Sequence, residues 1–134
     1  MYEGAVKRRG STMVESAFVT TVFLILLIGI ADFGRMGFAY NSIAFAAHRA
    51  ARWAATRGSA SGHAASLADV QADAQANVAA LDSTALTVGV TWSPNNHPGS
   101  TVQVQVTYNF KALLIPISST TLTLKSTSAQ IIIQ

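Results

Sequence analysis

The sequence predicts an α+β protein: a long N-terminal membrane-spanning helix, a second short helix, and a small three-stranded antiparallel sheet packed on the outer half of the long helix. Three observations predict this architecture. An uncharged apolar stretch runs from Ser16 to Ala31, an alanine-rich stretch without proline follows as far as Arg57, and apolar residues alternate with polar ones from Leu86 onward. Long apolar runs and a period near 3.6 are typical of helices, whereas alternation is typical of strands with one buried face.

The composition indicates a chain that does not face water along its whole length. Of its 134 residues, 50% are hydrophobic and 11% are charged, whereas soluble domains carry about a quarter of their residues as charge. The length allows one domain at most. The chain has no cysteine, which excludes disulfides, thiolate zinc sites and thiol nucleophiles.

The apolar stretch is long enough to cross a membrane. Ser16 to Ala31 contains sixteen residues without a charge, and counting from Ser11 gives twenty-one residues with Glu15 as the one charge. About twenty helical residues span the roughly 30 Å hydrocarbon core of a bilayer. A membrane anchor is therefore the favoured interpretation.

Two other interpretations of the stretch fit less well. A cleaved secretory signal peptide needs a small-x-small site directly after its apolar run, and the nearest candidate, Ala44 to Ala46, lies thirteen residues beyond Ala31. A buried core helix would need a large shell around it. The 77 residues after Arg57 are a poor shell for so long a rod.

Flanking charges predict the orientation of the anchor. Lys7, Arg8 and Arg9 precede the span, while Arg35 beyond it is offset by Asp32. Because basic residues stay on the cytoplasmic side, the N-terminus should be cytoplasmic and the bulk of the chain outside. Asp32 and Arg35 are expected to form an i,i+3 ion pair where the helix leaves the bilayer.

The helix is expected to continue beyond the membrane and to end near Gly58 with a glycine-rich C-cap. A rod from Ser11 to about Arg57 would be close to 70 Å long. Its outer part carries small residues at helical spacing, which predict a surface where other helices approach closely. These are Ala46, Ala47, Ala50, Ala51 and Ala54.

The region after the Gly/Ser linker predicts a second helix from His63 to Leu81. It is weakly amphipathic through Leu67, Val70, Ala74, Val78 and Leu81. We expect Asp69 and Asp73, one turn apart, on a solvated face.

The period then changes to two. Leu86 to Trp92 and Val102 to Phe110 predict a hairpin with one apolar face. A third strand is expected from Thr120 to about Ile133, with Leu122 and Leu124 inward, after the apolar connection 112–117. The chain thus divides into a leader (1–10), an extended helix (11–57) and an outer α+β domain (58–134).

The start of the span carries a recognisable pattern. Gly10 follows the basic cluster, and Glu15 lies five residues later, directly before the apolar stretch. This resembles the type III signal of type IV pilins and pseudopilins, in which a membrane peptidase cuts after the glycine. Gly10 would give the peptidase an extended backbone without a side chain at the bond to Ser11. Glu15 is a carboxylate at the edge of hydrocarbon, where it is costly unless paired.

A narrower resemblance covers about residues 8 to 57. The segment Gly10 to Ala17, the aliphatic run, Asp32 to Arg35 and the segment Ala46 to Ala54 together resemble the TadE-like family, minor pseudopilins of the tight-adherence (Tad, or Flp) pilus. The resemblance implies processing by a prepilin peptidase, localisation in the bacterial inner membrane with the outer domain periplasmic, and contacts with other pilins, pseudopilins and the assembly platform. It also implies that Glu15 pairs with the new α-amino group of a neighbouring subunit's Ser11.

Other functional interpretations find little support. Asp32, Phe33 and Gly34 spell a kinase metal-binding triplet, but the other kinase segments are missing. The chain's histidines, His48, His63 and His97, show no metal-ligand spacing. Arg49, Arg52 and Arg57 share their helix with Trp53 and alanine stripes, which favours packing over a nucleic-acid face.

We therefore expect no enzyme activity, cofactor, metal, nucleic acid or small-molecule substrate. Homo-oligomers stay possible. The competing hypothesis is an uncleaved, signal-anchored membrane protein with a periplasmic interaction domain.

Overall fold

The computed structural model describes residues 4–78, 80–113 and 121–134, with side chains from Gly10 onward. Its elements, in chain order, are the helices and strands of an α+β fold, so the predicted class is confirmed. They are α1 (Gly4–Ala55), α2 (Leu67–Ala76), a short 3₁₀ helix (Ser83–Ala85), β1 (Leu86–Ser93), β2 (Thr101–Phe110) and β3 (Leu122–Ile131).

Helix α1 is longer at its start than predicted. It has 52 residues and is therefore about 78 Å long. It begins at Gly4 rather than Ser11 and passes through Gly10 without a break. One window within Gly10–Ala55 is apolar and long enough to cross a membrane, and 0% of that window is buried. The exposed apolar surface of α1 is what a membrane-anchored protein presents to lipid.

The end of α1 differs from the expected glycine cap. The helix ends at Ala55, and Gly58 is not among the glycines with a positive φ, which are Gly62 and Gly99. Instead the carbonyl of Ala55 accepts a hydrogen bond of 2.9 Å from the amide of Ile133. A carbonyl left without a partner by the last turn is thus satisfied by the C-terminal segment of the same chain.

Helix α2 is shorter than the predicted segment from His63 to Leu81. Ser66 and Asp69 form a capping box at its start, which fixes the helix boundary. Val70 and Ala74 are buried as expected, but Leu67 is 46% exposed because it lies in the first turn, away from the core.

The two acidic residues of α2 do not share one environment. Asp69 is exposed, whereas Asp73 is half-buried. The Oδ2 atom of Asp73 is enclosed and has no hydrogen-bond partner among the described residues. Asp73 lies three positions after the buried Val70 and therefore shares its side of the helix, so the expected solvated face is wrong for Asp73.

The sheet has the order β1-β2-β3 and is antiparallel throughout. The predicted hairpin is present, with Val88 opposite Val106 and Trp92 opposite Val102. In β3, Leu124 packs against the core, but Leu122 is 49% exposed because it begins an edge strand and has a strand neighbour on one side only. The expected strand start at Thr120 and the connection 114–117 lie outside the described residues.

The core lies between the sheet and the outer half of α1. The alanines of α1 are buried here, against the chain's own strands and α2. Ala46, Ala47, Ala50, Ala51 and Ala54 are each 0% exposed. Their small side chains do allow close approach, and the elements that approach are α2 and the sheet of this chain rather than helices of other subunits.

Candidate assembly and membrane-exit site

The predicted cleavage segment lies on the first turns of α1. Gly10, Ser11 and Glu15 are all helical and exposed. The extended backbone expected at Gly10 is therefore not its conformation here, because the helix continues on both sides of it. Lys7, Arg8 and Arg9 belong to the same helix, and their side chains lie outside the described residues.

Glu15 is available for contact with another molecule. Its side chain is exposed, and the ion pair formed between described side chains joins Arg35 to Asp32 instead. Exposed apolar side chains surround this level of the helix, with Met13 at 77% and Phe18 at 71% exposure. A carboxylate in such surroundings gains most from a cationic partner supplied from outside the chain.

Asp32 is the buried polar group at the other end of the apolar stretch. Arg35 donates to its Oδ1 atom at 2.9 Å, and the backbone amide of Leu113 donates to its Oδ2 atom at 2.7 Å. The side chain of Asp32 is 11% exposed, compared with 49% for Arg35. The pair is thus more than a surface i,i+3 contact, because the carboxylate also holds the chain just after β2.

Arg35 adds a second contact to the same part of the sheet. Its guanidinium carbon lies 5.4 Å from the ring centroid of Phe110, the last residue of β2, within the range of a cation–π interaction. The end of β2 is therefore fixed to α1 by two side chains one turn apart. This attachment places the end of β2 beside the part of α1 where the apolar stretch ends.

The outer part of α1 leaves a second face uncovered. Phe38 and Phe45 are 51% and 60% exposed, seven positions apart and therefore on one side of the helix. This side is opposite the buried alanines. We call Phe38 and Phe45, with the exposed Asn41 between them, the aromatic face.

Three of the remaining charged or titratable candidates have ordinary packing contacts. Arg57 lies 4.3 Å from the ring centroid of Trp53, and His97 is hydrogen-bonded to Ser59 at 2.7 Å. His48 lies 3.3 Å from the hydroxyl of Ser128 on β3. Among the described residues no group of three or more His, Cys, Asp or Glu side chains could hold a metal ion.

These features define a class: a membrane-anchored α+β protein whose long helix carries an exposed carboxylate near its start. A family model described as TadE-like protein matches residues 10–52, which lie within α1. This match confirms the resemblance to the TadE-like family, and it supports a protein associated with a Tad pilus. No curated protein and no solved structure matches the chain.

Sequence reasoning missed the second partner of Asp32, which lies in the chain just after β2. Leu113 is 81 positions away, and a backbone amide leaves no trace in a sequence pattern. The capping box of α2 was detectable, because Ser66 followed three residues later by Asp69 is a helix-start signal.

Proposed function

We propose that the protein is a minor pseudopilin, cut by a prepilin peptidase between Gly10 and Ser11 and used in assembly of a Tad pilus. The observation that carries the proposal is the placement of Gly10 and Glu15 at the start of an exposed apolar helix. The family match covers residues 10–52, so it includes Gly10, Ser11 and Glu15, and it supports a role in the same pilus system.

The helical state of Gly10 adds a requirement to the cleavage step. A peptidase needs an accessible backbone at the bond it cuts, and α1 is continuous there. Glycine in a helix interior costs about 1 kcal/mol relative to alanine, so Gly10 lowers the cost of local unwinding. The basic residues Lys7, Arg8 and Arg9 would hold the leader at the cytoplasmic face of the inner membrane while this happens.

In the assembled state, Glu15 would pair with the α-amino group of Ser11 in a neighbouring pilin or pseudopilin. The subunits would pack through the exposed apolar surface of α1 and its aromatic face, because the alanines are already covered. The α+β domain would remain periplasmic, or extracellular once the subunit leaves the membrane. Other pilins, the assembly platform and further copies of this chain are the partners that this role requires.

The test is the intact mass and N-terminal sequence of the membrane-associated protein, made with and without an active prepilin peptidase. We expect a mature chain that starts at Ser11 only when the peptidase is present. Gly10→Leu should block the cut, whereas Gly34→Leu, at another helical glycine with open space around it, should leave it unchanged. A chain that retains Met1 beside an active peptidase would favour the uncleaved, signal-anchored protein instead.

A further inference from the structure

The end of the α+β domain that lies beside Asp32 and Arg35 carries exposed apolar side chains. Phe33 is 72% exposed, Leu113 is 61% exposed and Leu122 is 49% exposed. Leu113 is tied to Asp32 through its amide, and Leu122 is the strand partner of Phe110, which lies under Arg35. We call Phe33, Leu113 and Leu122 the basal patch.

The basal patch lies beside the end of the apolar stretch of α1. Phe33 follows the uncharged run by two residues, and the contacts of Asp32 and Arg35 hold the end of β2 at this height. A helix that crosses the bilayer up to Ala31 would place the patch at the lipid headgroups. Phenylalanine and leucine at that depth bury apolar area in the interface.

Charged groups line a cavity next to the patch. Arg35, Lys111 and Asp82 share a cavity of about 430 Å³. Lys111 is exposed, and the guanidinium of Arg35 is half-exposed although it pairs with Asp32. Two cations and one exposed carboxylate complement a zwitterionic headgroup, whose phosphate suits Arg35 and Lys111 and whose ammonium suits Asp82.

We propose that the basal patch is a second membrane contact, in which the base of the α+β domain rests on outer-leaflet phospholipids and a headgroup occupies the cavity between Arg35 and Lys111. The contact rests on the proposed anchoring of α1. Its consequence is that the domain keeps a fixed orientation on the membrane before assembly. Extraction into a pilus would then have to break this contact as well as remove the helix from lipid.

Because the chain has no cysteine, single-cysteine variants can carry an environment-sensitive fluorophore at one chosen position of the full chain. The labelled chain is placed in vesicles of phosphatidylethanolamine and phosphatidylglycerol, with or without a lipid that carries a nitroxide on its headgroup. For Leu113→Cys and, independently, Leu122→Cys, we expect a blue-shifted emission that the headgroup nitroxide quenches.

The matched control is Ile133→Cys. Ile133 is 70% exposed, which is similar to the 61% of Leu113. Its amide, however, is hydrogen-bonded to Ala55 at the far end of α1, about 35 Å from Asp32 along the helix. Its probe should show neither the shift nor the quenching. Leu113 and Leu122 probes that behave like the Ile133 probe would overturn the proposal, as would a blue shift without quenching, which indicates that protein rather than lipid covers the patch.

A probe at Leu24→Cys separates this contact from the anchoring on which it rests. Leu24 is 51% exposed within the apolar stretch, so a nitroxide deep in the acyl chains should quench it. Quenching at Leu24 without quenching at the patch leaves the anchor and the pseudopilin role intact and rejects the second contact. Loss of quenching at Leu24 rejects the anchoring itself.

Discussion

The backbone amide of Leu113 donates a hydrogen bond of 2.7 Å to Asp32, joining the end of β2 to the helix across 81 positions of sequence. Asp32 also receives the guanidinium of Arg35. One largely buried carboxylate therefore organises both the helix at its membrane exit and the chain that leaves the sheet.

Asp32→Ala should destabilise the outer domain by about 1.5–3 kcal/mol, the usual range for hydrogen bonds to a charged group. Denaturant unfolding in detergent measures the loss, and amide hydrogen exchange at Leu113 locates it. Arg35→Gln is the matched control, since it removes the ion pair but leaves the Leu113 amide bonded. Slow exchange at Leu113 in Asp32→Ala would contradict this role of the carboxylate.

Gly58 should tolerate no side chain. A Cβ atom at this position would collide with the carbonyl oxygen of Gln134 and the Cγ2 atom of Ile132. Ile132 is 1% exposed and cannot move away freely, so Gly58→Ala should cost about 1–3 kcal/mol through overpacking. The measurement is the unfolding free energy of the domain.

Gly89→Ala is the control for Gly58, because nothing lies within 4 Å of a Cβ atom built at Gly89. Alanine there should be neutral or slightly stabilising, since it reduces the freedom of the unfolded chain. Equal destabilisation by the two substitutions would show that the close approach at Gly58 is not the cause of the lost stability.

Helix α2 should weaken in acid. Hydrogen bonds from the side chain and then the backbone of Ser66 hold the pKa of Asp69 below its usual value of 3.8. A folded-state pKa below the unfolded one stabilises the fold above the unfolded value, and this contribution is lost as the pH falls through the folded pKa. The protection of the α2 amides, measured as the ratio of intrinsic to observed exchange rate from pH 5 downward, should therefore decrease below about pH 4.

Ser66→Ala should remove most of this acid dependence, because it deletes the main cause of the lowered pKa of Asp69. Ser61→Ala serves as the control. Ser61 bonds the carbonyl of Gly58 outside α2, so the pH dependence of exchange in α2 should persist there. An unchanged pH profile in Ser66→Ala would contradict the link between the capping box and the titration of Asp69.

The sequence predicted those parts of the fold that depend on periodicity. The alternation in Leu86–Ser93 and Thr101–Phe110 predicted both strands, and the pairing that places their valines on one face of the sheet is the one observed. The apolar run likewise predicted the membrane helix. Its start at Gly4 was missed because the basic leader residues were interpreted as a separate segment, although lysine and arginine are good helix formers.

The parts that could not be predicted depend on contacts between distant residues. Small residues at helical spacing predict close approach, but they do not say which element approaches. At Ala47 and Ala50 it is the chain's own sheet. The same holds for Gly58. A glycine is required there because Ile132 and Gln134 leave no room for a side chain, not because of the φ angle. For Asp32, spacing predicted Arg35 as a partner but not Leu113.

Glu15→Val should impair incorporation into a pilus, because the change removes the carboxylate. Leader cleavage should stay largely intact, because the helix remains exposed to lipid. Pilus counts and the intact mass of the membrane protein, both in the native host, check the two halves separately. Ser16→Val is the matched control: it also adds an apolar side chain at an exposed position one residue away. Normal piliation in Glu15→Val would refute the pairing with a neighbouring α-amino group.

The two sides of the outer helix should respond to substitution in opposite ways. Ala50 is 0% exposed in the core, so Ala50→Leu should destabilise the isolated domain by about 1–3 kcal/mol through overpacking. Phe45 is 60% exposed on the aromatic face, and Phe45→Ala should change the stability by less than about 0.5 kcal/mol.

Phe45→Ala should instead weaken association with other pilins, measured by crosslinking in membranes, because it removes apolar area that only a partner can cover. Ala50→Leu, examined at a temperature where it stays folded, should associate normally. The reverse pattern, with Ala50→Leu stable but unable to associate, would indicate that the alanines form the subunit interface. It would also mean that the sheet leaves α1 when the subunit assembles, since Ala50 cannot contact its own core and a neighbouring helix at once.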